Sequence, residues 1–180
     1  GLKIGATIGF GYIPVAIAFG LLAKVTDVSL LDTFLWSAMV FAGASQFMGL
    51  NLIQAGVAGG QIILAVFLLN FRHFLMSASL STRLGSIRKT WLPAIGFGIT
   101  DEAFPVLATH KGTLTAPFVL CVELTAYGAW VLGSVLGYLA GSILPALVQS
   151  AMGIALYALF TSILVPSIRT SRKALVLAIG

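Results

Sequence analysis

The 180-residue chain is 59% hydrophobic and only 8% charged, with a formal net charge of +5 and a mean hydropathy of +1.07. A soluble domain carries about 25% charged residues, so this chain could not cover a water-facing surface, and its basic balance reads as loop asymmetry in a membrane protein, not as a nucleic-acid footprint. One cysteine, Cys121, excludes an intramolecular disulfide and a cysteine-based metal cluster.

A helical span needs about 20 mostly apolar residues to cross a hydrocarbon core of roughly 30 Å. On that measure apolar segments run over 5–23, 30–54, 57–80, 91–109, 114–140 and 142–166, and a further span begins near Ala174. Short connectors with turn signals separate them, among them "KVTDVS" at 24–29, "AGVAGG" at 55–60, "STRLGSIRK" at 81–89 and "SIRTSRK" at 167–173. The expected fold is an all-α, polytopic integral membrane protein of six to seven helical segments, a single transmembrane transporter domain over 1–180. No cleavable signal peptide is expected, because the apolar stretch after Lys3 leads into another span. The chain starts without Met and stops within the apolar "ALVLAIG", so both ends are expected to continue.

Two segments are poor helices as written. The first contains Gly9, Gly11, Pro14 and Gly20; the fourth contains Pro93, Gly96, Gly98 and Pro105. Both contain "IGFG", at 8–11 and 95–98, and the same shift of 87 residues brings Lys24 onto Lys111. A 3+3 internal repeat with interrupted helices in matching positions is therefore expected, a pattern of secondary transporters. Topology stays open between two arrangements. If 91–109 crosses, the basic loops 81–89 and 167–173 lie on opposite sides; if it re-enters, both are cytoplasmic, as the positive-inside rule favours.

Within the third segment, Asn70, Arg72 and His73 interrupt apolar sequence. At about 100° per residue, Asn70 and His73 share a face with Ser77 and Ser81 while Arg72 lies on another. A side chain at this depth cannot snorkel fully, so Arg72 and His73 are either structural partners or part of a transport path. In "FAGASQF", Gly43, Ser45 and Gln46 mark either small-residue packing or a local unwinding that bares backbone groups to a ligand. Asp101, Glu102 and Glu123 are acidic groups deep in apolar sequence, and Arg72 cannot neutralise all three. The pattern of "GAS" with a later histidine is also found in intramembrane serine proteases, but Ser45 is followed by Gln46, not glycine. No enzyme, cofactor or metal is expected.

The motifs "FAGASQF", "NFRHFLMSASLS" and "TDEAF", with "GYIPVAIAFG" before them and "LFTSILVP" after, resemble the AzlC family of branched-chain amino acid permeases over roughly residues 1–170. The resemblance implies a bacterial inner-membrane subunit exporting valine, leucine, isoleucine and related solutes such as methionine. It also implies a small AzlD-type membrane subunit as partner. The chain departs from the family pattern at "MGIALYALF", where Gly153 replaces an Asp and Tyr157 a Pro. From the residues, a zwitterion needs a cation or helix N-terminus for its carboxylate and an acidic or carbonyl site for its ammonium. Proton coupling through a carboxylate or His73 is expected. An ion or small-solute channel is the competing reading.

Overall fold

The computed structural model describes residues 1–85 and 87–141. These form seven α-helices: α1 (Leu2–Val25), α2 (Leu30–Val40), α3 (Gly43–Gln54), α4 (Gly59–Ser81), α5 (Leu92–Gly98), α6 (Ala103–Thr109) and α7 (Ala116–Ala140). The segment expected at 142–166, the span from Ala174, the connector 167–173 and the departures at Gly153 and Tyr157 lie outside the described residues. Helices α1, α4 and α7 are 24, 23 and 25 residues long and apolar enough to cross a membrane. The all-helical, polytopic reading holds.

The first segment is not interrupted. α1 runs unbroken through Pro14 and its glycines, because the glycines serve a helix contact instead of a kink. A Cβ on Gly5 would lie 2.8 Å from the Thr125 Cβ, and one on Gly9 would lie 3.1 Å from that of Ala129. Added Cβ atoms would collide with the Ser134 carbonyl at Gly20 and, from the other side, with the Ile17 carbonyl at Gly137. Small residues thus let two backbones touch along a seam. Residue numbers rise together along it, so α1 and α7 run parallel.

The second segment folds back on itself. Ser29 caps α2 by accepting from the Asp32 N–H at 3.1 Å. α2 then ends at Phe41, which takes the left-handed φ 45°, ψ 45°, and α3 starts two residues later. The Trp36 ring of α2 lies against Gly49 of α3, with its Cζ2 2.5 Å from where a Cβ would stand. That pairing of residues on either side of the turn makes α2–α3 a hairpin with its tip at Phe41 and Ala42. The unwinding expected at 43–46 is displaced: Gly43, Ser45 and Gln46 lie in the first turn of α3.

The fourth segment is a second hairpin. α5 and α6 have seven residues each, about 10 Å apiece, and are separated by an irregular stretch from Ile99 to Glu102. Arg83, just past α4, donates to the carbonyls of Leu107 (2.7 Å), Ala108 (2.5 Å), His110 (2.5 Å) and Gly112 (3.3 Å). The exit of α6 therefore sits where α4 ends, and Leu84 and Ile87, which lead into α5, share a core with Ile95, Leu107 and Leu114. Both ends of 92–109 lie on one face of the protein, so this segment re-enters instead of crossing; the side of 167–173 lies outside the described residues.

Following the chain from face to face settles the rest. α7 leaves the face carrying Arg83, Arg88, Lys89 and Lys111, and the parallel α1 starts there with Lys3. The opposite face has Lys24, Asp27 and Asp32. By the positive-inside rule the first face is cytoplasmic. α2–α3 dips in from the outer face and α5–α6 from the cytoplasmic one, so their tips meet at mid-depth. The repeat expected at a shift of 87 fails among the described residues, since it pairs unbroken α1 with broken α5–α6. The arrangement of hairpin followed by span recurs at another shift: the spans α4 and α7 begin at Gly59 and Ala116, 57 positions apart, and run in opposite directions.

Candidate functional site

The two hairpin tips carry different chemistry. At the α2–α3 tip, Gln46 is fully buried and satisfied. Its Oε1 accepts from the Trp130 Nε1–H at 3.0 Å and the Ala42 N–H at 3.3 Å, and its Nε2 donates to Ser37 Oγ at 3.1 Å. The Ser45 hydroxyl donates to the Ala42 carbonyl at 2.8 Å. Gly43 makes room for the Trp130 ring, whose Cη2 lies 2.7 Å from where its Cβ would be. Phe41 is held in its costly left-handed conformation by rings of Tyr12, Tyr127 and Phe97 at centroid distances of 6.2, 5.1 and 6.1 Å.

At the α5–α6 tip the groups are charged. Arg72 of α4 pairs with Asp101 at 2.8 Å, the two side chains being 31% and 36% exposed. Tyr12 donates to Glu102 Oε2 at 2.5 Å and lies 2.6 Å from Thr100 Oγ1. Thr100 in turn accepts from the Ala103 N–H at 3.2 Å, capping the entry to α6. Arg72 therefore finds its counter-charge within the chain.

Between the tips lies a cavity of about 180 Å³, lined by Val40, Phe41 and Ala42 from the first tip, Gly96, Phe97 and Ile99 from the second hairpin, and Asn70 and His73 from α4. The Oδ1 of Asn70 is buried with no hydrogen-bond partner, as is Nε of Arg72. His73 Nδ1 lies 3.2 Å from the Asn70 carbonyl, a bond within its own helix. The first turn of α3, which follows the cavity-lining Phe41 and Ala42, has no side-chain cap.

Of the nine residues that the sequence singled out, Asn70 and His73 line this cavity, Arg72 and Asp101 hold each other beside it, and Glu102 is tied to Tyr12. Gly43, Ser45 and Gln46 form the scaffold of the first tip. Glu123 stands apart, buried against Gly98. Tyr12, Ser37, Thr100 and Trp130 were not singled out. Tyr12 alone had a local signal, a hydroxyl in the middle of a glycine-rich span.

The AzlC protein family model matches residues 7–144, most of the chain. The chain belongs to the AzlC family. It is 38% identical over 172 residues to an uncharacterized membrane protein of Archaeoglobus fulgidus, covering 94% of this chain and 75% of that one. It is 33% identical over 187 residues to inner membrane protein YgaZ of Escherichia coli K12, covering 99% and 76% respectively. A more distant relative, at 25% over 135 residues, is the branched-chain amino acid transport protein AzlC of Bacillus subtilis, with 73% and 53% covered. No solved structure matches the chain significantly. As an AzlC-family protein with three long apolar helices, it is a multi-pass cell-membrane protein of a transport family.

Proposed function

We propose that this AzlC-family chain is the carrier subunit of a secondary transporter that exports branched-chain amino acids, with the cavity between the hairpin tips as its substrate site. One observation carries the reading. A mid-depth cavity has an unpartnered amide oxygen and aromatic walls, and the residues next in sequence to its lining begin an uncapped helix, a set that matches the three parts of an aliphatic amino acid. The carboxylate takes the N–H groups at the start of α3, where the helix dipole also favours it. The ammonium donates to Asn70 Oδ1, with His73 beside it. Val40, Phe41, Phe97 and Ile99 take the branched side chain. This differs from assigning the carboxylate to Arg72 and the ammonium to Asp101, because those two groups satisfy each other.

Opposed re-entrant hairpins supply the motion. With one entering from each face, withdrawal of one tip opens the cavity to that side while the other keeps it shut, which is alternating access around a fixed site. Proton coupling supplies the drive for export, and the small AzlD-type subunit remains the expected partner on the family resemblance. The test is counterflow of labelled valine, leucine and methionine in proteoliposomes, with and without the partner. Saturable counterflow that weakens in Asn70→Ala supports the reading. Non-saturating flux without counterflow would assign the cavity to a channel instead.

A further inference from the structure

Behind the substrate cavity, and sharing Phe97 with it as a wall, lies a second cavity of about 320 Å³. Its lining is apolar or aromatic (Ala94, Leu120, Leu124, Phe97 and Tyr127) except for one acid, Glu123. Glu123 is 3% exposed, and both its carboxylate oxygens lack a hydrogen-bond partner. Its carboxyl presses on the backbone of α5: a Cβ on Gly98 would stand 2.6 Å from Glu123 Cδ. Only glycine permits that approach.

The neighbouring groups offer a charged Glu123 nothing. α5 presents Ala94, Phe97 and Gly98, none of which titrates. On α1, the Tyr12 hydroxyl is committed to Thr100 and Glu102. On α7 itself, the Tyr127 hydroxyl donates to the Ala38 carbonyl at 2.9 Å. Among the described residues no cation contacts Glu123, and Arg72 and Arg83 are engaged elsewhere, by Asp101 and by the carbonyls past α6. An ionised carboxylate without donor or counter-charge is prohibitively costly in an apolar setting, so the group takes a proton instead.

We infer that Glu123 is the proton-binding site of the carrier, loaded when the α5–α6 hairpin rests on it and unloaded when that hairpin moves. The inference rests on the transport reading above and names the group that couples it. Loading breaks one O–H bond of a hydronium ion and forms one O–H bond to a carboxylate oxygen, leaving water; unloading reverses this once movement of Gly98 lets solvent reach the acid. Phe97, common to both cavities, relays the state of one to the other, since a substrate that shifts its ring also shifts the cover over Glu123. Asp101 and Glu102 do not fit this role, because a cation and a hydroxyl donor hold them.

The test uses the full chain with its partner subunit in proteoliposomes and Glu123→Gln, which imitates the protonated acid. Wild type should accumulate valine against its gradient under an imposed pH difference, while Glu123→Gln should lose that accumulation entirely and retain measurable counterflow. Uphill transport by Glu123→Gln would overturn the inference. Loss of counterflow as well, in a variant that still inserts and folds, would place Glu123 in substrate binding and overturn it too. Absence of counterflow in wild type would sink the amino acid reading rather than this assignment. As a second readout, infrared spectra of protein with isotopically labelled glutamate should show a protonated carboxyl band at neutral pH that is absent from Glu123→Gln. A fully ionised spectrum would overturn the inference.

Discussion

The two hairpins enter from opposite faces and meet at the same depth, yet they are held in contrasting ways. The α2–α3 tip is neutral, and its amide is buried and fully bonded to Trp130, Ala42 and Ser37. The α5–α6 tip is held by charge, through an ion pair that stays about one-third exposed and a tyrosine–carboxylate bond. A buried neutral network of this kind gives one well-defined arrangement. A half-wet ion pair costs little to open, because water can replace each partner. On the transport reading, the contrast makes the first hairpin the firmer of the two gates and the second the one that moves more readily.

The largest effect is expected from separating the charges. Arg72→Ala should abolish transport, at a stability cost between the ~1 kcal/mol of an exposed pair and the ~3 kcal/mol of a buried one. Arg72→Lys keeps the charge but loses the planar fork, so export by this stable, inserted variant should fall well below wild type. Normal export by Arg72→Lys would show that the fork is not needed. Measured transport and detergent melting together separate function from folding.

Gln46→Leu should do the reverse. It strands the Trp130 N–H and the Ser37 hydroxyl, so thermal stability in detergent should drop by about 1–3 kcal/mol. The transport that remains in the folded fraction should keep its substrate preference. A change of preference without loss of stability would mean that the first tip is held no more firmly than the second.

A smaller effect is expected from Tyr12→Phe, which removes one hydroxyl from Glu102 and Thr100 while leaving the ring packed on Phe41 and Trp130. The cost should be about 1–2 kcal/mol, with turnover changed more than stability because the bond belongs to the moving tip.

Cysteine labelling in a Cys121→Ala background reads water access rather than transport, since Asp101→Cys itself separates the pair with Arg72. Asp101→Cys and Glu102→Cys should react with a small membrane-impermeant thiol reagent, and substrate should change their rates. A cysteine at Lys111 should react from the cytoplasmic face and one at Gly56 from the outer face. Protection of positions 101 and 102 from both sides would remove the water-accessible path to the second tip.

Much of this was legible in the sequence, but not the course of the chain. The break in 91–109 could be read from Gly96, Gly98 and Pro105 around two carboxylates. That it returns to the same face could not, since Arg83 decides it by binding carbonyls 24 to 29 residues away. The run 30–54 is as long folded back as it is crossing. Its turn is set by Phe41, which only tertiary packing of aromatic rings holds in a left-handed conformation. The glycines of α1 were misread because glycine both breaks helices and brings them together. The clue was on the other helix, where Cys121, Thr125, Ala129, Gly133, Gly137 and Gly141 recur at every fourth position. The need of Arg72 for a counter-charge was evident, but choosing Asp101 from three acids required the fold.

The parallel seam between α1 and α7 also sets the order of assembly. Gly5 meets Thr125, so α1 cannot find its mate until nearly the whole described chain has been made. During synthesis Gln46 waits for Trp130, and Arg72 waits for Asp101. Contacts this distant in sequence are slow to form, and the waiting helices have unsatisfied polar groups inside or beside the bilayer. Newborn copies are therefore most exposed to membrane quality control just before α7 arrives, and variants that weaken the seam should be cleared at that stage rather than accumulate as inactive carriers.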